Sequence, residues 1–193
     1  MIIDWKLEDD VNDWVKSQFD RLGKTKNKDY TTESGMTDYM KQALMGSAKT
    51  QRKTSFGKPD FQIENFNIPV IIEDKVYLKK LVAKSGNTIK SDDKSILSYA
   101  VNGVIYYAQN MIASGKYQEV IAIGIAGDND KNVKIAVYYV FGTGESSYKE
   151  MTDYSTFDFL ENKTTFADFY KNAVLTEEDK NKILITSREK LQK

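Results

Sequence analysis

The segment GKPDFQIENFNIPVIIEDK, which runs from Gly57 to Lys75, predicts a β-hairpin that ends in charged residues. Two short runs of β-branched and aromatic residues, 61–63 and 68–72, flank the segment 64–67, which carries the turn residues. The second run is apolar throughout and is followed by three consecutive charges. A buried strand that ends in this way is unusual unless its charges meet at a site.

The charged residues of this hairpin can converge on one face. Asp60 begins the first strand, and Glu73 and Lys75 end the second. Strand side chains alternate, so Glu73 and Lys75 point to one side and Asp74 points to the other. Carboxylate oxygens with a nearby lysine suit Mg²⁺ and an activated water. The alternative is a surface hairpin whose charges are merely solvated, since charged side chains are mostly exposed.

The pattern Pro59-Asp60 followed by Glu73-x-Lys75 resembles the motif of the PD-(D/E)XK nuclease superfamily. This resemblance implies a restriction-endonuclease-like fold and hydrolysis of phosphodiester bonds in double-stranded DNA. Asp60 and Glu73 would bind Mg²⁺, with Mn²⁺ as a substitute. Lys75 would position or deprotonate the attacking water.

An acid and a basic segment precede the hairpin. We predict a helix from Glu33 to about Ala48, which places Glu33 on its inward, apolar stripe. Glu33 is then either a first-turn acid favoured by the helix dipole or, as in many members of this superfamily, a helix-borne acid aimed at the metal. The segment 41–58 contains no acid, and its cations Lys49, Arg52, Lys53 and Lys58 are predicted DNA contacts. A solvated loop is the alternative for each.

The sequence SYAVNGVIYYAQNM, residues 98–111, is similar to the helix that follows the catalytic motif in restriction nucleases. A Gln-x-x-x-Tyr pattern is common there. Here Asn102 takes the Gln place and Tyr106 matches the Tyr. Both are expected on one polar face, where they reach a phosphate or a metal-bound water, or are simply solvated. Over about Glu33 to Ile112, the chain thus resembles the amino-terminal endonuclease module of type IIG and type I-like restriction-modification enzymes.

Composition limits the available chemistry. The chain has 193 residues, with 28 Lys plus Arg against 28 Asp plus Glu, so no global basic field points to nucleic acid. It contains no cysteine and no histidine, which excludes disulfides, thiol catalysis and histidine-ligated zinc. The absence of cysteine fits a reducing cytoplasm. No signal peptide or membrane-spanning segment is predicted.

The remaining patterns predict an α/β domain with a central mixed sheet flanked by helices. Predicted helices cover 7–22, 91–114 and 166–173; predicted strands cover 77–82, 119–126 and 133–141, and 146–163 is expected to be irregular or an edge segment. Residues 1–174 are interpreted as the nuclease domain. Residues 175–193 are interpreted as a helical connector, and the resemblance implies methyltransferase and specificity domains beyond it.

The leading hypothesis is therefore a Mg²⁺-dependent DNA endonuclease module. One alternative is a catalytically silent DNA-binding or assembly module with the same fold. A small-molecule hydrolase with an acid pair is a third, disfavoured because no nucleophile accompanies the carboxylates. The fragment is expected to bind DNA weakly, with strong salt dependence and little sequence preference.

Overall fold

A computed structural model describes residues 1–50, 55–175 and 177–192. The helices are α1 (Glu8–Arg21), α2 (Asp38–Ala43), α3 (Asp93–Ser98), α4 (Ala100–Ala113), α5 (Lys163–Val174) and α6 (Glu177–Leu191). The strands are β1 (Thr31–Thr32), β2 (Phe61–Ile63), β3 (Val70–Val76), β4 (Lys84–Ser85), β5 (Thr88–Ile89), β6 (Glu119–Asn129), β7 (Asn132–Thr143) and β8 (Glu145–Glu150).

Six strands form one mixed sheet in the order β1-β2-β3-β6-β7-β8. The pair β3 and β6 is parallel, and the other neighbouring pairs are antiparallel. The strands β4 and β5 form a separate two-stranded sheet. The predicted α/β architecture with a central mixed sheet flanked by helices is confirmed at this level. None of the helices in the described ranges is long and apolar enough to cross a membrane.

The predicted hairpin is present as β2 and β3. Phe61 pairs with Ile72 and Ile63 pairs with Val70, so the polar segment between the strands forms the connection. The two long apolar runs form β6 and β7, which pair antiparallel around a tight turn. Strand β8 lies at the sheet edge, in agreement with the edge alternative for that segment.

Hydrophobic residues cover both faces of the sheet, because successive strand side chains point to opposite sides. In β3, Val70 and Ile72 face the core that α1 and α5 complete, whereas Ile71 faces the core that α4 completes. The first core includes Val11, Val15, Phe19, Phe166 and Phe169, and the second includes Val101, Val104, Ala108 and Met111. Strand β3 is therefore buried on both faces up to its charged end.

Only part of the predicted helix over 33–48 forms, and its start at Glu33 is wrong. Residues Glu33–Gly35 form a short 3₁₀ turn, and α2 begins only at Asp38. Glu33 has a positive φ of 48°, which is incompatible with a right-handed helix. Thr37 caps α2 instead, because its hydroxyl accepts the backbone N–H of Met40 at 3.3 Å.

Two further boundaries differ from the prediction. No strand forms over 77–82, because Tyr77 has a φ of 77° and a 3₁₀ turn follows at Leu78–Lys80. The single helix predicted over 91–114 is divided into α3 and α4 by the extended backbone of Tyr99. At this break the N–H of Val101 donates to the carbonyl of Leu81 at 2.9 Å, which ties the start of α4 to the 3₁₀ segment.

Candidate functional site

Two acidic residues, Asp60 and Glu73, lie opposite each other where β2 begins beside the middle of β3. Phe61 pairs with Ile72, so the register places Asp60 opposite Glu73. The Oδ2 atom of Asp60 accepts the backbone N–H of Asp74 at 2.8 Å. Burial, then the negative charges of Glu73 and Asp74, raise the pKa of Asp60 well above its usual value. This is an acid pair whose mutual repulsion a bound cation would relieve.

Lys75 is held by an acid from the first helix. Its Nζ lies 2.9 Å from Oε1 of Glu8, and its side chain is only 13% exposed. Burial alone would lower the pKa of Lys75, but the charges of Glu73, Glu8 and Asp60 outweigh burial and raise it. The ammonium therefore stays charged at neutral pH. Such a group can orient a water or a phosphate, but it is poorly suited to accept a proton.

The helix-borne acid beside this part of β3 is Glu8, which was not predicted as a site residue. Glu8 opens α1, and its only sequence signal was its place in an acidic first turn. Glu33, the predicted candidate, is exposed and lies outside any α-helix, so its predicted position on an inward helical stripe is wrong. Its backbone N–H donates to the carbonyl of Asp60 at 3.3 Å, which makes Glu33 a backbone neighbour of the acid pair.

The direct partner of Glu73 is a different lysine, Lys49. Nζ of Lys49 lies 3.1 Å from Oε2 of Glu73, and the two side chains are 11% and 4% exposed. The same ammonium lies 4.9 Å from the ring centroid of Tyr107. Lys49 was predicted as a DNA contact on a basic loop, and the structure places it inside the acid cluster. Tyr107 was not predicted at all, because a buried tyrosine on a helix carries no distinguishing sequence signal.

The burial of Tyr107 also links α4 to the acid pair. Burial, then the charge of Glu73, raise the pKa of its phenol. Tyr107 is therefore neutral throughout the physiological pH range and lies close enough to Glu73 to feel its charge. Its ring also packs against Gly57, where an added Cβ would overlap the Cε1 atom of Tyr107.

The predicted DNA contacts from α4 are not grouped on a polar face. Asn102 is 1% exposed. Its Oδ1 accepts the N–H of Ala83 at 2.9 Å, and its Nδ2 donates to the carbonyls of Ala83 and Lys90 at 2.9 and 2.8 Å. The prediction is wrong for Asn102, which instead anchors the 83–90 segment to α4. Tyr106 is half-buried and packs beside the core.

The other predicted DNA contacts from the segment 41–58 are Arg52, Lys53 and Lys58. Lys58 is exposed, and its ammonium lies 5.5 Å from the ring centroid of Phe56. Arg52 and Lys53 lie outside the described residues. Of the four predicted contacts, Lys49 and Lys58 therefore lie within the described residues, and Lys49 is the one that contacts the acid pair.

Asp74, the residue after Glu73 in β3, is a third acid beside the pair. It is fully buried, and neither of its carboxylate oxygens has a hydrogen-bond partner among the described residues. Burial, then the charges of Glu73 and Glu8, raise the pKa of Asp74 to about 8. A carboxyl group with this pKa keeps its proton at neutral pH. Three acids thus gather at the end of β3, and repulsion and burial hold two of them, Asp60 and Asp74, toward their neutral forms.

The shifted pKa of Asp74 makes stability depend on pH. Between 3.8, the value for a free carboxyl, and about 8, unfolding releases the proton that the folded state keeps. Stability therefore falls as pH rises through this window and levels off above it. Asp74→Asn should reduce the slope of the unfolding free energy by about 1 kcal/mol per pH unit. Chemical denaturation at pH 5, 6, 7 and 8 in EDTA measures this slope.

A matched variant gives the opposite sign. Backbone N–H groups of Lys6 and Leu7 lower the pKa of the exposed Asp10. At neutral pH, Asp10→Asn should therefore be less stable than wild type, whereas Asp74→Asn should be more stable than wild type. At acid pH both differences should shrink. An unchanged slope in Asp74→Asn would show that this carboxyl group is already ionised in the folded protein.

The donor set fits a hard divalent cation in part. Among the described residues, no group of three or more Asp, Glu, His or Cys side chains is arranged to hold a metal ion. Asp60 and Glu73 nevertheless supply two facing carboxylates. Mg²⁺ is usually bound by one or two carboxylates together with waters and substrate phosphates. The pair therefore fits as the protein's share of a Mg²⁺ site.

The sequence of the chain is similar to that of a known restriction-modification enzyme. No family model matches the chain, and no solved structure matches it. The chain is 33% identical over 150 residues, 77% of its length, to the type II restriction enzyme and methyltransferase RM.BcgI of Heyndrickxia coagulans. It spans about 23% of the length of that protein. This similarity supports a relationship between the chain and restriction-modification enzymes.

Proposed function

We propose that this chain is the Mg²⁺-dependent DNA endonuclease module of a restriction-modification enzyme, with a PD-(D/E)XK site. The observation that carries the proposal is the pair Asp60 and Glu73, placed opposite each other by the hairpin register, with Lys75 two residues after Glu73 in the buried strand β3. The relative RM.BcgI, named as both restriction enzyme and methyltransferase, supports the same class.

The acid pair is arranged for cation binding rather than for stability. Glu73 is almost completely buried, and its charge helps to raise the pKa of Asp60. Asp60 and Glu73 would hold the ion, with Mn²⁺ able to replace Mg²⁺. When bound, such an ion would lower the pKa of an attacking water and offset the charge that develops on the phosphate.

Lys75 would orient the attacking water or the scissile phosphate. Its charged ammonium is held by Glu8, so its position is defined before substrate arrives. The backbone N–H of Asp74 fixes the Asp60 carboxylate in a similar way. The first contact comes from α1 and the second from β3, so the site depends on α1 as well as on the hairpin.

Double-stranded DNA is the proposed substrate, and Lys49, Lys58, Arg52 and Lys53 are its proposed backbone contacts. Contacts from a few lysines and arginines carry no base information and weaken steeply with salt. The chain by itself is therefore proposed to cut with little sequence preference. Methyltransferase and specificity domains are the proposed partners that would supply site recognition, and the cytoplasm is the proposed location.

The test is metal-dependent cleavage by the purified chain at low salt. Supercoiled plasmid should be nicked or linearised with Mg²⁺ or Mn²⁺ and left intact with EDTA. Activity must co-elute with the protein through a final size-exclusion step, which excludes a contaminating nuclease. Cleavage that persists in EDTA would rule out the proposed chemistry.

A catalytically silent DNA-binding or assembly module is the second candidate. It is favoured by the ion pair between Lys49 and Glu73, which occupies one of the two proposed ligands. Calorimetric titration with Mg²⁺ and Ca²⁺ separates the two candidates. Absence of cation binding at millimolar concentration, together with absence of cleavage, would favour the silent module.

A further inference from the structure

Lys49 occupies the position beside Glu73 for which a bound divalent cation would compete. Its ammonium is 3.1 Å from a carboxylate oxygen of Glu73, and both side chains are nearly buried. A buried carboxylate needs a compensating positive charge. Lys75 does not make this contact, because its own ammonium is paired with Glu8 at 2.9 Å. Lys49 is therefore the direct counter-ion of Glu73 within the described part of the chain.

A glycine inside α4 opens the path for this lysine. A Cβ added at Gly103 would lie 2.6 Å from Nζ and 3.2 Å from Cε of Lys49. It would also lie 3.0 Å from the backbone oxygen of Ile96. Glycine in a helix interior costs about 1 kcal/mol relative to alanine, so its presence calls for a reason. Here the missing side chain lets the ammonium of Lys49 reach Glu73.

A cavity of about 310 Å³ lies directly beside Lys49. Its described lining residues carry two ammonium groups and several hydroxyl groups but no carboxylate: Ala48, Lys49, Thr50, Ser55, Phe56, Lys58 and Tyr107. Cations and hydroxyl donors without an acid favour an anion. The cavity lies next to the acid pair, because Lys49, which lines the cavity, also contacts Glu73. A phosphate group is the anion that the proposed reaction would bring there.

We propose that the Lys49 ammonium holds the place of a divalent cation at Glu73 and turns to a DNA phosphate in the adjacent cavity when the cation binds. The inference rests on the proposed function, because it takes Glu73 as a cation ligand. Lys49 is then a positioning residue. It holds the Glu73 side chain in place in the free protein, and it couples cation binding to phosphate binding.

The first experiment measures cation affinity without catalysis. Wild type, Lys49→Met and Lys41→Met are titrated with Ca²⁺ by calorimetry, with thermal melts to confirm folding. Lys41→Met is the matched control, since Lys41 packs over the Phe56 ring at 5.7 Å and makes no ion pair with Glu73. Lys49→Met should bind Ca²⁺ about tenfold more tightly, because a competing charge is removed. Lys41→Met should match wild type.

A second variant keeps the test valid if Lys49→Met does not fold. Gly103→Ala keeps the lysine but crowds its ammonium, so this variant should also bind Ca²⁺ more tightly. Equal or weaker Ca²⁺ binding by the folded variants would overturn the inference and leave the acid pair as a cation site. If neither wild type nor any variant binds a divalent cation, the proposed function itself fails and the inference fails with it.

The second experiment identifies the anion. In Ca²⁺, with Mg²⁺ and Mn²⁺ left out, Lys49→Met should bind a short duplex about tenfold more weakly than wild type. Inorganic phosphate should compete with the duplex only at much higher concentration if the cavity accepts a phosphate of the DNA strand. Equal competition on a phosphate basis would assign the cavity to free phosphate. Unchanged duplex affinity in Lys49→Met would overturn the transfer to DNA.

Discussion

Asp60→Asn is expected to lower Mg²⁺-dependent DNA cleavage by at least about 1000-fold, equivalent to about 4 kcal/mol of transition-state stabilisation. The amide has the shape of the carboxylate, and its oxygen can still accept the N–H of Asp74, now at 2.8 Å. What is lost is the charge that would bind the ion. Initial rates of plasmid nicking at saturating Mg²⁺ measure the effect.

The same substitution should leave the fold at least as stable as wild type. Burial and the charges of Glu73 and Asp74 hold the pKa of Asp60 well above its usual value, so the carboxylate is unfavourable in the folded chain. A neutral amide removes that repulsion. Thermal melts in EDTA should therefore show an equal or higher Tm. A large fall in Tm would mean that lost cleavage reports on unfolding and not on the lost ligand.

Lys75→Met should differ from Asp60→Asn in cation binding, and this difference identifies Asp60 as the cation ligand. It removes the ammonium held by Glu8 but leaves both carboxylates in place. Cleavage should fall about 100-fold or more while Ca²⁺ binding is retained. Asp60→Asn should lose both cleavage and Ca²⁺ binding. Loss of Ca²⁺ binding in Lys75→Met as well would mean that the lysine supports the site structurally.

The fold was predictable from sequence where hydrophobic periodicity is strong. The hairpin of β2 and β3, the pair β6 and β7, and α1 were all recognised because their apolar residues repeat at strand or helix spacing. The errors fall where single backbone conformations interrupt a pattern. Positive φ at Glu33 and Tyr77 and the extended Tyr99 broke elements that side-chain spacing alone continued. The residue types at these three positions do not predict such backbone conformations.

The site was predictable only for residues adjacent in sequence or on paired strands. The facing positions of Asp60 and Glu73 follow from hairpin register. Glu8 and Tyr107 approach the same strand end from helices distant in sequence, and nothing in their local patterns marks them. Asn102 shows the opposite case, because it was expected to reach a phosphate or a metal-bound water, or to be solvated, and instead it binds the backbone of Ala83 and Lys90. Tertiary packing decides these positions.

Gly124→Ala is expected to lower the free energy of unfolding by about 3 kcal/mol, the upper end for a small addition to a packed core. Gly124 lies in β6, directly opposite Glu73 of β3. An added Cβ would lie 2.6 Å from Cγ2, 2.8 Å from N and 2.9 Å from Cα of Val101. Two of these atoms belong to the backbone, so the clash can be relieved only by moving the start of α4.

That movement should also affect the site, because α4 carries Tyr107 and the glycine that admits Lys49 to Glu73. Chemical denaturation measures the loss, with Gly86→Ala as control. Gly86 has a positive φ of 59° but no atom within 4 Å of an added Cβ, so its variant should lose only about 1 kcal/mol from backbone strain. A Gly124→Ala protein as stable as wild type would show that α4 can withdraw from β6. The burial of Glu73 would then not depend on close contact between helix and sheet.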